Sequence, residues 1–335
     1  MQASLLSKRP WRRRLSARFA LLALTLLLLG LGLSWLDRPL DAQAIAAAAG
    51  LPEIPAQLPP ARPPAGLDFR VIETSQSRGT LEALILGGGS WLRLRQPVHM
   101  AVWVRHPRAS FLFDLGLGAG VDQQFAVNKL FHRLVFGYGP VRPAAAQLAA
   151  IGAPRPDFAL VSHLHWDHVS GLPDFPGLPL WVPAAERAEA EAGAAPYFLR
   201  SQFQEHQAWR ELRFEGGPYL GFPAHHDLFG DGSAVLVPLD GHTAGQIGLF
   251  LTLPSGARYL FSGDVSWTLE GIARPADRSW LARHLLHLDH DEARNQATLV
   301  QLHRLMRAHP GLQIVPAHDE TLLPRLPRLV APIRP

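Results

Sequence analysis

The sequence predicts a mixed α/β fold in which two β-sheets are covered by helices, a four-layer αββα sandwich, preceded by one N-terminal transmembrane helix. Short strand patterns come in hairpin-like pairs early in the chain and alternate with helical patterns later. Several of the later strands run directly into a histidine or an aspartate. Residues 19–36 contain no charged side chain.

Composition limits the classes of function. The chain has 335 residues, 47% of them apolar, which is ample for a large packed core. It contains no cysteine, so disulfides and thiolate metal sites are excluded. Residues 1–18 carry six of the 32 basic residues and no acid, so the remainder has 26 basic against 28 acidic residues. Because the excess positive charge belongs to this tail, we expect no nucleic-acid partner.

The apolar run 19–36 is long enough, at ~1.5 Å per residue, to cross most of a ~30 Å hydrocarbon core. The basic tail 1–18 places the preceding end in the cytoplasm. We favour an uncleaved anchor, because the run is long for a signal sequence. This predicts a single span in the inner membrane with the globular domain on the periplasmic side. The alternative is a signal cleaved near residues 42–44, which yields a periplasmic or secreted protein.

Residues 37–66 are rich in alanine and proline and predict an extended linker before a domain at 67–330. Within the domain, runs of β-branched and aromatic residues predict the strands, and apolar residues at helical spacing predict helices at 142–152 and 293–308. The glycines at 87–89 predict a tight hairpin turn, since no Gly-Lys-Ser/Thr follows them. The predicted strands are 69–74, 81–86, 91–94, 101–105, 111–114, 157–162, 234–238, 247–253, 257–262 and 312–316.

The most informative motif is the hexapeptide His163-Leu164-His165-Trp166-Asp167-His168. Imidazole nitrogens and carboxylate oxygens are preferred ligands of Zn²⁺ and related ions. Because His163 and His165 are two residues apart at a strand end, they project to the same side. Asp167 and His168 are adjacent and diverge, which suits a second ion. Crowding these groups without a metal would leave polar atoms competing for too few partners.

Three further candidate ligands each follow a predicted strand. His242 lies in the glycine-flanked segment 241–245, Asp264 follows strand 257–262, and His318 follows strand 312–316. The two oxygens of Asp264 suit a bridge between two ions. Each of these residues alone would be an ordinary polar residue at a strand end. Together with the hexapeptide they predict a centre for two divalent ions.

This assembly resembles the metallo-β-lactamase superfamily over about residues 67–325. The resemblance implies an αββα sandwich with two metal ions, zinc expected, at one edge of the two sheets. It also implies the ligand set: His163, His165 and His242 for one ion, Asp167, His168 and His318 for the other, and Asp264 as the bridge.

Within the superfamily, the amino-acid sequence at residues 162–165, 227–233 and 241–243 is similar to that of the N-acyl homoserine lactonase branch. One position departs from that branch. Those lactonases typically place a tyrosine three residues after the bridging aspartate, where this chain has Trp267. An indole donates one hydrogen bond but cannot act as a phenol, which puts the lactone substrate in doubt but not hydrolysis.

The sequence therefore predicts a binuclear metal-dependent hydrolase in which a hydroxide between the ions attacks a small ester, lactone or amide. Asp167 and Asp264 are expected to serve catalysis as well as metal binding. One alternative is a metal-dependent phosphodiesterase, because nucleases of this superfamily share the HxHxDH motif. The other is a non-catalytic zinc-binding protein of the same fold. The expected partners are a small-molecule substrate and a membrane contacted through 19–36; the oligomeric state is left open.

Overall fold

The computed structural model describes residues 18, 19, 21, 22, 24, 25, 28–30, 32, 33, 35–203 and 208–330. The strands are β1 (Asp68–Gln76), β2 (Thr80–Leu81), β3 (Leu94–Arg95), β4 (Val98–His106), β5 (Ala109–Leu115), β6 (Phe158–Leu160), β7 (Leu180–Val182), β8 (Trp209–Glu211), β9 (His226–Asp227), β10 (Ala234–Pro238), β11 (Ile247–Thr252), β12 (Arg258–Phe261) and β13 (Leu312–Val315). The α-helices are α1 (Ala42–Ala48), α2 (Glu82–Ile85), α3 (Val121–Phe125), α4 (Leu130–Val135), α5 (Ala144–Ala150), α6 (Trp166–Val169), α7 (Ala184–Ala192), α8 (Leu269–Ala273), α9 (Trp280–Leu286) and α10 (Glu292–Ala308).

Two sheets carry the fold. The first has the strand order β1-β4-β5-β6-β7-β8, antiparallel from β1 to β5 and parallel from β5 to β8. The second has the order β13-β12-β11-β10-β9, and only its β12–β13 pair is parallel. A small β2–β3 hairpin lies apart from both. The strand that precedes the hexapeptide, β6, lies inside the first sheet. The strands that precede the other predicted ligands, β10, β12 and β13, all lie in the second sheet.

Successive side chains of a strand point to opposite faces of its sheet, so each sheet has one inner face and one face toward the helices. In β5, Phe111 and Phe113 join the core between the sheets, while Leu112 faces the outer helical layer of the first sheet. In β10, Leu236 joins the same inner core and its neighbours Val235 and Val237 face outward. The predicted α/β sandwich is confirmed.

The outer layers follow from helix periodicity. On the second sheet, Leu299, Leu302 and Leu305 of α10 are fully buried against the outward-facing side of the strands. On the first sheet, α5 and α7 contribute Leu148 and Ala190 to the equivalent layer. Residues 37–66, predicted as a linker, lie along the helical layer of the second sheet. There Arg304 Nη1 donates to the carbonyl of Pro52 at 3.0 Å.

The strand predicted at 81–86 is wrong beyond its first residue. Only Leu81 is in β2, and the chain then turns into α2. The cause is the buried carboxylate of Glu82, which accepts a hydrogen bond from the Ser90 backbone N–H at 3.0 Å and folds the glycine turn back over the helix. As a result the returning strand begins at Leu94 rather than at 91.

The predicted membrane helix receives no support from the structure. Positions 20, 23, 26, 27, 31 and 34 of the run 19–36 lie outside the described residues, as do residues 1–17 of the basic tail. Where the chain is described, no helix is both long enough and apolar enough to cross a bilayer.

A buried ion network fixes the hairpin against the last part of the chain. The Arg95 guanidinium is 5% exposed and lies 3.1 Å from Glu82, 3.0 Å from Asp319 and 2.6 Å from Glu320. Asp319 follows the predicted ligand His318, so this network also fixes the backbone beside that histidine.

We expect Arg95→Ala to lower the free energy of unfolding by roughly 3–5 kcal/mol, because Asp319 would remain buried without its cation and Glu82 would keep only the exposed Arg93. The matched control is Arg93→Ala. Arg93 contacts the same Glu82 at 3.0 Å but is 59% exposed, so its loss is expected to cost only about 0–1 kcal/mol. Urea unfolding of the two variants measures the difference, and equal losses would contradict the assignment.

Candidate metal centre

The predicted ligands converge at one edge of the sandwich. His163 and His165 follow β6 of the first sheet, whereas His242 and Asp264 follow β10 and β12 of the second. All seven predicted residues fall in three groups of potential ligands, two of which share His163, and within each group the ligand atoms lie within 4.8 Å of one another. The members of these groups are His163, His165 and His242; His163, His168 and Asp264; and His99, Asp167 and His318.

The two oxygens of Asp264 face different parts of the centre. Oδ1 lies 3.2 Å from His318 Nε2 and 3.5 Å from His168 Nε2, whereas Oδ2 lies 3.7 Å from His242 Nε2. On the Oδ2 side, His242 Nε2 is also 3.0 Å from His165 Nδ1. The carboxylate therefore presents one oxygen to His168 and His318 and the other to His242.

His99 is a potential ligand that sequence reasoning missed. It lies in β4, and its Nδ1 is 3.4 Å from Asp167 Oδ2, as close as His318 Nε2 is to the same oxygen. No local pattern pointed to it, because a single histidine in a buried strand is typical of an ordinary core position. Only the pairing of β4 in the first sheet brings it to the centre.

Several potential ligand atoms are buried without a hydrogen-bond partner among the described residues. They are His99 Nδ1, His163 Nε2, His168 Nε2 and Asp264 Oδ1. Native proteins rarely leave buried polar atoms unpaired, and these are the atom types that bind Zn²⁺. The donor set therefore fits divalent cations.

Hydrogen bonds behind the imidazoles orient them. His168 Nδ1 is 3.0 Å from Asp114 Oδ2, His242 Nδ1 is 2.8 Å from Asp289 Oδ1, and His318 Nδ1 donates to the Val98 carbonyl at 2.8 Å. Each contact leaves Nε2 directed into the centre, the usual way in which proteins fix metal-binding imidazoles. Asp114 has a left-handed backbone, with φ of 57°, a conformation that aspartate adopts more readily than most residues other than glycine.

Electrostatics differ between the two sides. Burial, together with the neighbouring imidazoles, holds the pKa values of His163 and His165 well below the ordinary range, so these rings are neutral, the form that binds metals. Burial also acts to lower the pKa of His168, but the carboxylates of Asp114 and Asp167 outweigh it and hold that pKa well above its usual value. The carboxylates therefore concentrate negative charge on the His168 side.

Glu186 ties two ligand loops together and was also missed. From α7, its Oε1 accepts from the Leu164 N–H at 2.6 Å, and its Oε2 accepts from Thr243 Oγ1 at 2.6 Å and from the Gly245 N–H at 3.1 Å. Burial raises the pKa of Glu186 to about 7. In the sequence it looks like any acid of an alanine-rich surface helix.

Trp267 contacts the centre directly. Its indole Nε1 donates to Asp264 Oδ2 at 2.8 Å, and the guanidinium of Arg278 lies 4.9 Å from its ring centroid. The single donor of this side chain is therefore used on the carboxylate. This is a concrete difference from a phenol, which can donate and accept.

A cavity of about 360 Å³ opens onto the centre. Its polar surface includes Asp167 and Asp264, and its apolar walls come largely from α4 and α9. Trp166 also lines the cavity and is buried against Phe125, with ring centroids 4.2 Å apart. The site combines a charged floor with apolar sides.

Comparison with known sequences agrees with this geometry. Residues 95–314 match the metallo-beta-lactamase superfamily. A probable metallo-hydrolase of Mycobacterium tuberculosis is 34% identical over 191 residues, which cover 53% of this chain and 60% of that protein. The N-acyl homoserine lactonase AttM of Azorhizobium caulinodans is 27% identical over 188 residues, 53% of this chain and 65% of the lactonase. The chain thus spans less than two thirds of the length of these relatives.

Solved structures share the fold. An N-acyl homoserine lactone hydrolase with N-hexanoyl-L-homoserine bound at its catalytic metal centre superposes with a TM-score of 0.59 and 15% identity, covering 80% of this chain and 98% of that one. A probable metal-dependent hydrolase from Staphylococcus aureus gives a TM-score of 0.56 and 13% identity, with 76% and 90% coverage.

We expect Glu186→Gln to destabilise the chelator-treated protein by about 1–3 kcal/mol at pH 5. Both carboxyl oxygens of Glu186 accept hydrogen bonds, whereas the NH₂ group of a glutamine side chain cannot accept one. Burial raises the pKa of Glu186 from 4.5 to about 7, so the folded state binds more protons than the unfolded state in that window. Wild-type stability from this group therefore falls as pH rises from 4.5 through 7. The wild-type advantage over Glu186→Gln should narrow between pH 5 and pH 8.

The matched control is Glu191→Gln on the same helix, because the Glu191 side chain is 55% exposed and its one ion-pair partner among the described residues is Arg187 at 2.7 Å. Its difference from wild type should be small at both pH values. A Glu186→Gln penalty that is the same at pH 5 and pH 8 would argue against the raised pKa.

Proposed function

This chain belongs to the metallo-beta-lactamase superfamily, and on that premise we propose that it is a metal-dependent hydrolase of a small ester, lactone or amide. The observation that carries the proposal is the set of buried, unpartnered ligand atoms on the floor of an apolar-walled cavity. A structural metal site would be closed by its own ligands, whereas a catalytic one opens to a substrate cavity.

We assign two ions to the centre, with zinc as the expected metal. His163, His165 and His242 would hold one, and Asp167, His168 and His318 the other, with Asp264 between them. When bound, such ions supply Lewis acidity and lower the pKa of water toward neutrality. The separation of the Asp264 oxygens and the neutral state of His163 support this assignment.

The side chains around the centre have separate tasks. Asp167 lines the cavity, with 13% of its side chain exposed, so it can accept a proton from an attacking water or orient that water. Trp267 orients Asp264 through its indole N–H. Asp114 and Asp289 hold the imidazoles of His168 and His242 in the tautomer that presents Nε2.

The cavity favours a substrate with an apolar part beside its carbonyl. Apolar walls exclude water and bind hydrocarbon, which strengthens the electrostatic effects at the floor. They offer no hydrogen-bond donor to the anionic oxygens of a phosphodiester. The similarity to an N-acyl homoserine lactonase supports a lactone as one member of the substrate class. Trp267 stands where those lactonases typically have a tyrosine, so the preference for lactones over other esters is the property to measure.

The division of the chain also stays a prediction from the sequence. We retain a basic tail at 1–18, an anchor or signal at 19–36, a linker at 37–66 and the hydrolase domain at 67–330, with the domain outside the cytoplasm. Sequencing the N-terminus of the native protein distinguishes the two interpretations of 19–36. We expect an intact N-terminus, and a new one near residues 42–44 would establish cleavage.

We expect His163→Ala and Asp264→Ala each to lower zinc content and to reduce hydrolysis of an ester and lactone panel by at least about 10²-fold, because the ligands act as a unit. The control is His225→Ala, since His225 contacts the Gly217 carbonyl at 2.7 Å and lies outside the cavity. It should retain metal and activity.

Undiminished hydrolysis by both ligand variants would refute the proposal. Faster turnover of bis-p-nitrophenyl phosphate than of any lactone would favour the phosphodiesterase. Tight zinc binding with no turnover of any ester, lactone, thioester or phosphodiester would favour the non-catalytic zinc protein.

A further inference from the structure

Helix α4 leaves its apolar side chains in water. None of its six residues is buried, and Leu130 and Leu134 are each 68% exposed. Phe131 is 48% and Val135 46% exposed. A helix in a globular domain ordinarily turns such a stripe toward the core, but none of the residues of this helix is buried.

The exposed stripe surrounds the cavity mouth. Phe131, Leu134 and Val135 of α4 line the cavity, and so does Leu285 of α9, which is 55% exposed. One set of side chains therefore lines the entrance and also faces outward. We name these four residues the apolar rim.

Basic side chains flank the apolar rim. Arg133 lies on α4, and Lys129 is the N-cap residue of that helix. Arg78 lies between β1 and β2 and lines the cavity. All three are exposed, and none forms an ion pair with another described residue. Apolar side chains ringed by unpaired cations are typical of proteins that rest on anionic lipid surfaces.

The N-terminal segment joins the domain beside the same mouth. The Asp37 carboxylate accepts from the backbone N–H of Trp280, the first residue of α9. The described apolar side chains before it, among them Leu28 at 59%, are exposed as well. A lipid contact made by residues 19–36 would thus bring the bilayer near the first turn of α9.

We propose that the apolar rim, with Lys129, Arg133 and Arg78 around it, is a docking surface for an anionic lipid bilayer, so that the cavity opens at headgroup level. A second copy of the chain is a poorer occupant. A two-fold contact centred on α4 would bring Lys129 and Arg133 close to their own counterparts, and like charges in contact are unfavourable.

The absence of cysteine makes the test specific, because one introduced cysteine is the only labelling site. Full-length Leu134→Cys and Leu285→Cys carry an environment-sensitive nitrobenzoxadiazole label. Ile151→Cys is the matched control, since Ile151 is an exposed apolar residue at 39% that lies outside the cavity. Each protein is incorporated into phosphatidylcholine vesicles with or without phosphatidylglycerol, and the lipids carry a doxyl quencher.

Labels at positions 134 and 285 should shift to shorter wavelength and be quenched several-fold more than the label at 151. Phosphatidylglycerol should increase the quenching, and Lys129→Glu with Arg133→Glu should abolish that increase. The comparison is between positions in one full-length chain, so insertion by residues 19–36 alone cannot produce the pattern.

Equal quenching at 134, 285 and 151 would overturn the proposal. So would a wavelength shift without vesicles that grows with protein concentration, because that result indicates a second copy at the rim. The readout involves no hydrolysis, so it stands or fails separately from the proposed function.

Discussion

The structure depends on gathering metal-binding atoms, buried and unpaired, where the ends of two sheets meet. Such atoms are unfavourable in a dry interior unless a cation satisfies them. Strands β6, β10, β12 and β13 each end at this edge and release a ligand loop there. The loops are then held by groups outside the ligand set. Glu186 joins two of them, and the buried Arg95 network fixes the chain after the last strand.

The sequence predicted most of this centre because its signals are local. A metal-binding side chain directly after an apolar run requires no knowledge of the rest of the fold. By contrast, His99 and Asp289 reach the centre through strand pairing and through the segment after α9, and neither has a local signature. The ligand roles of the seven predicted residues stay predictions, although their proximity is now a structural observation.

The fold was predictable to a similar degree. A continuous apolar run identified β10 from residue 234 to residue 238, because both faces of that strand are buried in defined layers. The strand predicted at 81–86 was wrong because the contacts that decide the local structure there are made with residues further along the chain. An apolar run there is interrupted by Glu82, whose carboxylate finds its partners up to 13 residues along the chain. No sequence pattern assigned a role to Asp319. In the structure its carboxylate pairs with Arg95 and accepts a hydrogen bond from the Leu269 N–H.

The additional imidazole of His99 bears on metal selectivity. With it, the centre offers six histidine nitrogens and two carboxylates. Nitrogen-rich sites of this kind follow the Irving–Williams order, in which Cu²⁺ binds more tightly than Zn²⁺. Affinity alone would therefore load copper wherever copper is free. The ion loaded would then depend on the geometry of the site and on which metals are available during folding, so mismetallation is the hazard that this donor set carries.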